Sequence, residues 1–196
     1  MHPVEPDPAG KLRIHPEDAA EWREWLAAHH ATADGVWVVL WRQASGRTGL
    51  TYDELVREAL CFGWIDATAR RLDADRTLQY CSPRKRGSGW ARTNKARIAE
   101  LEAEGRITAA GAAVIAAAQA DGSWTLWDDV EALVVPEDLR VALEARDGAA
   151  EHWNGFPPSA RKLMLAQLVL AKRAPTRADR VTRIADAASR GERGYP

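Results

Sequence analysis

The chain reads as an α+β protein, mostly helical, with a small three-stranded sheet and a C-terminal helical hairpin. Three observations lead there: one β-branched and aromatic run, VWVVLWR at 36–42; a hairpin-like pair of runs at 64–72 and 78–83; and an uninterrupted series of helix starts and stops after Pro83. In order, the first helix is expected from Pro16 through EDAAEWREWLAAHH, because proline suits a first helical position and Trp22, Trp25, Leu26 and His29 recur at helical spacing. VWVVLWR follows Gly35 as a strand buried on both faces and ends in the polar turn SGRTG. Thr51 and Glu54 have capping-box spacing for the helix YDELVREAL, which Gly63 stops. Trp64 to Leu72 and LQYCSP at 78–83 form strands around the D-A-D-R turn. Further helices are expected at 93–104, 108–121, 136–146, 159–173 and 176–190, most closed by a glycine. The prolines at 157–158 suggest a division into an α+β part, 1–156, and a C-terminal hairpin, 157–196, packed on it as one unit.

Composition excludes several classes of protein. With 46% apolar residues and a net charge of −1 over 196 residues, the chain is not a disordered tail, and nucleic acid is not the expected partner. No run approaches the roughly 20 apolar residues that span a bilayer, so no membrane insertion is expected. MHPVEPDPAGKLRIHP lacks the basic and apolar regions of a signal peptide, which points to a cytoplasmic location. Cys61 and Cys81 make no C-x-x-C pair, and His2, His15, His29, His30 and His152 show no metal-ligand spacing; neither metal nor cofactor is expected. The sequence leaves the oligomeric state open.

Charge is segregated. Residues 1–75 carry −5, 76–99 carry +7, 100–151 carry −9 and 152–196 carry +6. Such alternation describes either two anion-binding surfaces or basic and acidic faces that pair internally, and pairing is the commoner state.

Chemistry-bearing residues concentrate between Cys61 and Asn94. The glycine-rich basic stretch 82–90, just ahead of a helix near Thr93, has the makings of an anion cradle: backbone N–H groups, a helix start and the fork of Arg84. It lacks P-loop spacing, and a flexible basic loop is the competing reading. Asp66 shares a strand face with Trp64, and near Arg70, Arg71 or Arg84 it could orient a ligand, serve as an acid or base, or simply pair with an arginine. Trp90, flanked by glycine and polar residues, is the candidate for stacking on a ligand. Cys61 is expected to be a buried apolar residue, with no histidine beside it in sequence to make it a nucleophile. On the last helix Arg177 falls on the apolar side with Val181, Ile184 and Ala188, so it needs a partner: an acid from 100–151, or a bound anion.

The segments GVWVVLWR (35–42), YDELVREALCFGWIDA (52–67), PRKRGSGWARTN (83–94), GRITAAG (105–111) and AKRAPTRADRVTRI (171–184) resemble those of the YdeI/OmpD-associated, or bacteriocin-protection, family. Departures from that pattern are Ala67 in place of a glycine, Gly89 and Ala91 in the tryptophan element, and Ile107 in place of a methionine. The resemblance implies a role in tolerance of bacteriocins or cationic antimicrobial peptides and brings no catalytic activity with it.

Three functions follow as expectations. The first, which the sequence favours, is a non-catalytic protein binding a small anionic ligand through Trp64, Asp66, Arg70, Arg84, Ser88, Trp90, Asn94 and Arg177, in stress or antimicrobial-peptide tolerance. The second is an enzyme using Asp66 as acid or base on a phosphorylated or carboxylated small molecule. The third, a nucleic-acid binder, would use Arg173, Arg177, Arg180 and Arg183.

Overall fold

The sheet is organised by one hairpin, whose strands β3 (Trp64–Arg71) and β4 (Arg76–Pro83) flank a turn held by Asp73, which accepts the backbone N–H of both Asp75 and Arg76. The computed structural model describes residues 1, 2, 4, 7 and 9–194. Within them β4 also pairs antiparallel with β2 (Val36–Trp41), and β2 pairs in parallel with the two-residue β1 (Arg13–Ile14), giving the order β1-β2-β4-β3. The sheet therefore has four strands, not three. β1 exists because Trp37 N–H finds the Leu12 carbonyl at 2.9 Å, a pairing over more than twenty residues that leaves no local signature in so short a segment.

Register fixes the two faces. Val36, Val38, Gln79 and Cys81 share one face, and Trp37, Val39, Leu78 and Tyr80 the other. In β3 the pairing runs Asp66 with Cys81 but Ala69 with Gln79, so β3 holds one extra residue, a bulge directly after Asp66. That extra residue reverses the alternation, so Asp66 lies on the Cys81 face and Arg70, opposite Leu78, on the other.

The chain falls into two compact units: residues 1–88 with 93–124, and residues 89–92 with 125–196. The first unit holds the sheet with α1 (Ala19–His29), α2 (Tyr52–Cys61), α3 (Arg92–Ala103, its first residue belonging to the second unit) and α4 (Ala109–Asp121). α1 begins three residues later than Pro16, because Asp18 caps it by accepting Glu21 N–H at 2.9 Å. The expected capping box of α2 is present in full. Three aromatic contacts join the layers: Trp22 donates to Leu55 O at 3.0 Å, Trp64 donates to His30 O at 3.1 Å, and Trp25, stacked on Trp22 within α1, meets Trp64 edge-on. α4 sits almost on the end of α2: a Cβ on Gly111 would lie 2.3 Å from Cys61 O, the same carbonyl that receives Thr108 N–H and hydroxyl.

The second unit is helical: α5 (Asp128–Glu131), α6 (Glu137–Glu144), α7 (Ala149–Gly155), α8 (Pro158–Val169) and α9 (Ala174–Ser189). Leu139, Leu143, Trp153, Met164, Leu168 and Ile184 form its core. α9 packs on α6, α7 and α8, and α8 on α5. The hairpin expected at 157–196 thus lies, among the described residues, in one compact unit with α5, α6 and α7. Pro157 and Pro158 serve to start α8, where their missing N–H groups cost nothing.

Candidate functional site

The bulge turns Asp66 into a polar corner on the first unit. Its Oδ2 accepts the Tyr52 hydroxyl at 2.8 Å and the Gln79 side-chain amide at 3.0 Å. Tyr52 comes from the first turn of α2, and Gln79 reaches the carboxylate because it lies two residues from Cys81 on the same face of β4. Burial and the bond to Asp66 push the Tyr52 hydroxyl up to about 12, so it stays a donor at neutral pH. The neighbouring Cys81 thiol is fully buried, and burial with the Asp66 charge raises it far above its ordinary range.

Arg84 completes the corner. Its backbone N–H donates to Gly63 O at 3.0 Å, which anchors the start of the basic loop to the end of α2. Burial lowers its guanidinium to about 10, opposed by the charge of Asp66, so it remains a cation at neutral pH. Beside Tyr52, Arg97 binds Asp53 through two nitrogens at 3.0 and 2.8 Å and Asn94 through a third at 3.1 Å.

The structure leaves Asp66 and Arg84 within electrostatic reach of each other, while the other expected site residues are committed to other contacts. Trp64 is 1% exposed and committed to the core. Arg70 is on the opposite face of the sheet, 4.1 Å above the Trp37 ring and paired with Asp7. Ser88 closes its own turn, donating from hydroxyl and N–H to Lys85 O. Asn94 positions Arg97. Trp90 belongs to the second unit and is 1% exposed, so it offers no open face for stacking; the adjacent Gly89 is needed because any Cβ there would lie 2.2 Å from the Trp127 indole nitrogen. Arg177, also in the second unit, grips Asp138 through Nε (2.7 Å) and Nη2 (3.1 Å) and donates Nη1 to Leu168 O.

The expected anion cradle is met from within. At the loop tip Arg86 faces Asp121 at 3.8 Å, and the Asp121 carboxyl is held below its usual range by Ser123 and, in smaller part, by Arg86 and the Gly87 N–H. Arg92, the first residue of α3, gives its N–H to both oxygens of Glu131 at 3.2 and 3.0 Å. These acids come from the 100–151 block, as does Asp138, so three carboxylates of that block answer cations of the two basic segments. The same holds for the helix proposed to meet nucleic acid: Arg177 pairs with Asp138, Arg183 with Asp179, and Arg180 donates to Gln167 O.

Sequence reasoning missed Tyr52 and Gln79. Gln79 had a signal, being polar at a buried position of a strand; Tyr52 had none, because its partner lies fourteen residues away across a helix and a turn. Among the described residues no group of three or more His, Cys, Asp or Glu is arranged to hold a metal, and no helix is long and apolar enough to cross a membrane.

Together these features define an α+β protein with a polar corner at a sheet bulge and a separate helical unit. Residues 14–114, just over half of the chain, match the family model described as "Domain of unknown function (DUF8412)", and residues 132–191 match that described as "Bacteriocin-protection, YdeI or OmpD-Associated". The chain belongs to the first family, and the stretch that matches the second lies in its helical unit. Of the five segments that suggested the YdeI/OmpD-associated family, AKRAPTRADRVTRI lies inside that match and the other four fall within the first. No curated protein and no solved structure matches the chain.

Proposed function

We propose that the first unit binds a small anionic ligand at the corner where β3, β4 and the basic loop meet. Arg84 is the cation that meets the ligand, Asp66 orients it, and Tyr52 and Gln79 hold Asp66. One observation carries the reading: a guanidinium drawn partly out of water lies within electrostatic reach of a carboxylate already fixed by two neutral donors. Partial desolvation strengthens a charge-assisted hydrogen bond, and a prefixed counter-charge spares the ligand the cost of ordering the arginine. Lys85, exposed on the same loop, adds a second positive charge.

The test is a thermal-shift series with phosphate, sulfate and small mono- and dicarboxylates. An anion that binds raises the midpoint with concentration, as mass action requires, and the rise vanishes in Arg84→Ala while the folded baseline persists. A panel that produces no rise, or a rise unchanged by Arg84→Ala, refutes the proposal. From the family description we further propose that this binding serves bacteriocin or stress tolerance. A strain lacking the protein is then more sensitive to bacteriocin, and wild type but not Arg84→Ala restores it; equal restoration by both would separate tolerance from this corner.

A further inference from the structure

The helical unit holds a cavity of different chemistry. It has a volume of about 220 Å³, and its aliphatic lining includes Val130, Val134, Leu165 and Leu168, with Asp129 and Arg177 as the charged residues of the wall. That is smaller than the roughly 300–1,000 Å³ of sites for drug-sized ligands. At about 30 Å³ per water-sized group it holds roughly seven.

The charged groups of the wall each have binding capacity left. A guanidinium carries five N–H donors. Arg177 spends two on Asp138 and one on Leu168 O, which leaves two, and its side chain is 34% exposed. The Asp129 carboxylate is exposed and meets no cation among the described residues. Its position is fixed by the turn that ends α5: Leu133 N–H bonds to Val130 O at 3.1 Å and Val134 N–H to Asp129 O at 2.8 Å, with Leu133 in the left-handed region at φ 58°. The acid and the aliphatic rim at Val134 are therefore parts of one braced turn.

We propose that this cavity binds a single aliphatic α-amino acid. Its side chain fills the aliphatic floor, its carboxylate takes the two remaining Arg177 donors, and its ammonium pairs with Asp129. The zwitterion suits the wall better than either half of it. An aliphatic acid would face Asp129 with like charge, and an aliphatic amine would leave the Arg177 donors without an acceptor. This site stands apart from the Arg84 corner and does not depend on it.

Calorimetric titration of the full chain with L-leucine, 4-methylpentanoate and 3-methylbutylamine tests the proposal. Leucine binds, and each analogue binds about tenfold or more weakly, the loss expected for one charge-assisted hydrogen bond. Asp129→Asn abolishes the advantage of leucine over 4-methylpentanoate, and Val134→Phe, which fills the cavity from its exposed rim, abolishes leucine binding. Both positions are exposed, and circular dichroism establishes that the variants are folded. No leucine binding, analogues equal to leucine, or binding that survives Val134→Phe would each overturn the proposal.

Discussion

Glu58 offers the sharpest test of how the first unit is held together. It lies on α2 with a side chain only 2% exposed, and its two oxygens are divided between Arg23, at 2.7 Å, and Arg106. Arg23 also donates to the backbone carbonyl of Arg106 at 3.1 Å, so one carboxylate joins α1, α2 and the segment before α4. Glu58→Gln keeps the shape, removes the charge and leaves two guanidinium groups facing each other. Breaking a buried ion pair costs about 3–5 kcal/mol. Here the two arginines are 36% and 37% exposed and can recover part of their hydration, and glutamine still accepts one bond, which reduces the expected loss to about 2–3 kcal/mol. For a unit of this size that corresponds to a fall in Tm of about 6–12 °C. Circular dichroism melts at pH 7 measure it, with Arg140→Ala as the reference: Arg140 pairs with Glu137 and Glu144 on an open helix surface, and its loss should not move the midpoint. A Glu58→Gln midpoint within 2 °C of wild type, against that ~6–12 °C expectation, would refute the claim that this buried network ties the helices together.

Other perturbations follow from the same geometry. His15 is buried between the rings of His2 and Trp41 with neither nitrogen hydrogen-bonded, and burial, with the charges of His2 and Arg76, lowers it from 6.5 to about 4. The unfolded chain takes up this proton first, so stability falls as pH drops from about 6.5 to about 4 and levels off below; melts of His15→Phe should lose that portion of the pH dependence, and an unchanged profile would contradict the assignment. Gly111→Ala drives a methyl group to 2.3 Å from a backbone carbonyl that cannot swing aside, and should cost about 1–3 kcal/mol or prevent soluble expression, whereas Gly105→Ala, with open space around it and a left-handed φ of 67°, should cost only about 1 kcal/mol; urea melts compare the two. Tyr52→Phe removes one of the two bonds that fix Asp66 and should weaken anion binding at the Arg84 corner by about fivefold without unfolding the protein, as Tyr52 is 49% exposed.

Local chemistry was legible in the sequence; long-range pairing was not. The capping box at Thr51 and Glu54, the buried run from Val36 and the glycine stops at 63, 105, 122 and 191 are each set by a few adjacent residues, and the glycines do take left-handed φ. α5 and α7 escaped notice because four and seven residues are too few to show a helical period. At the site, Asp66 and Arg84 were visible as unusual residues near strand ends. The bulge that parts Asp66 from Arg70 was not, because nothing in DATAR marks an unpaired residue. Nor could spacing show that Asp121 and Glu131 answer Arg86 and Arg92 across more than thirty residues. Trp90 shows how context misleads: its glycine neighbour suggested an open loop, yet that glycine makes room for Trp127.

The Arg84 corner is tested most directly by following the arginine Nε–H resonances of the folded protein by nuclear magnetic resonance during titration with inorganic phosphate. The account predicts that the Arg84 signal moves and saturates, while those of Arg86 and Arg92, whose side chains are 85% and 69% exposed to water and so bind anions only weakly, shift little and without saturation. Saturable movement confined to Arg86 or Arg92, with Arg84 unmoved, would contradict it.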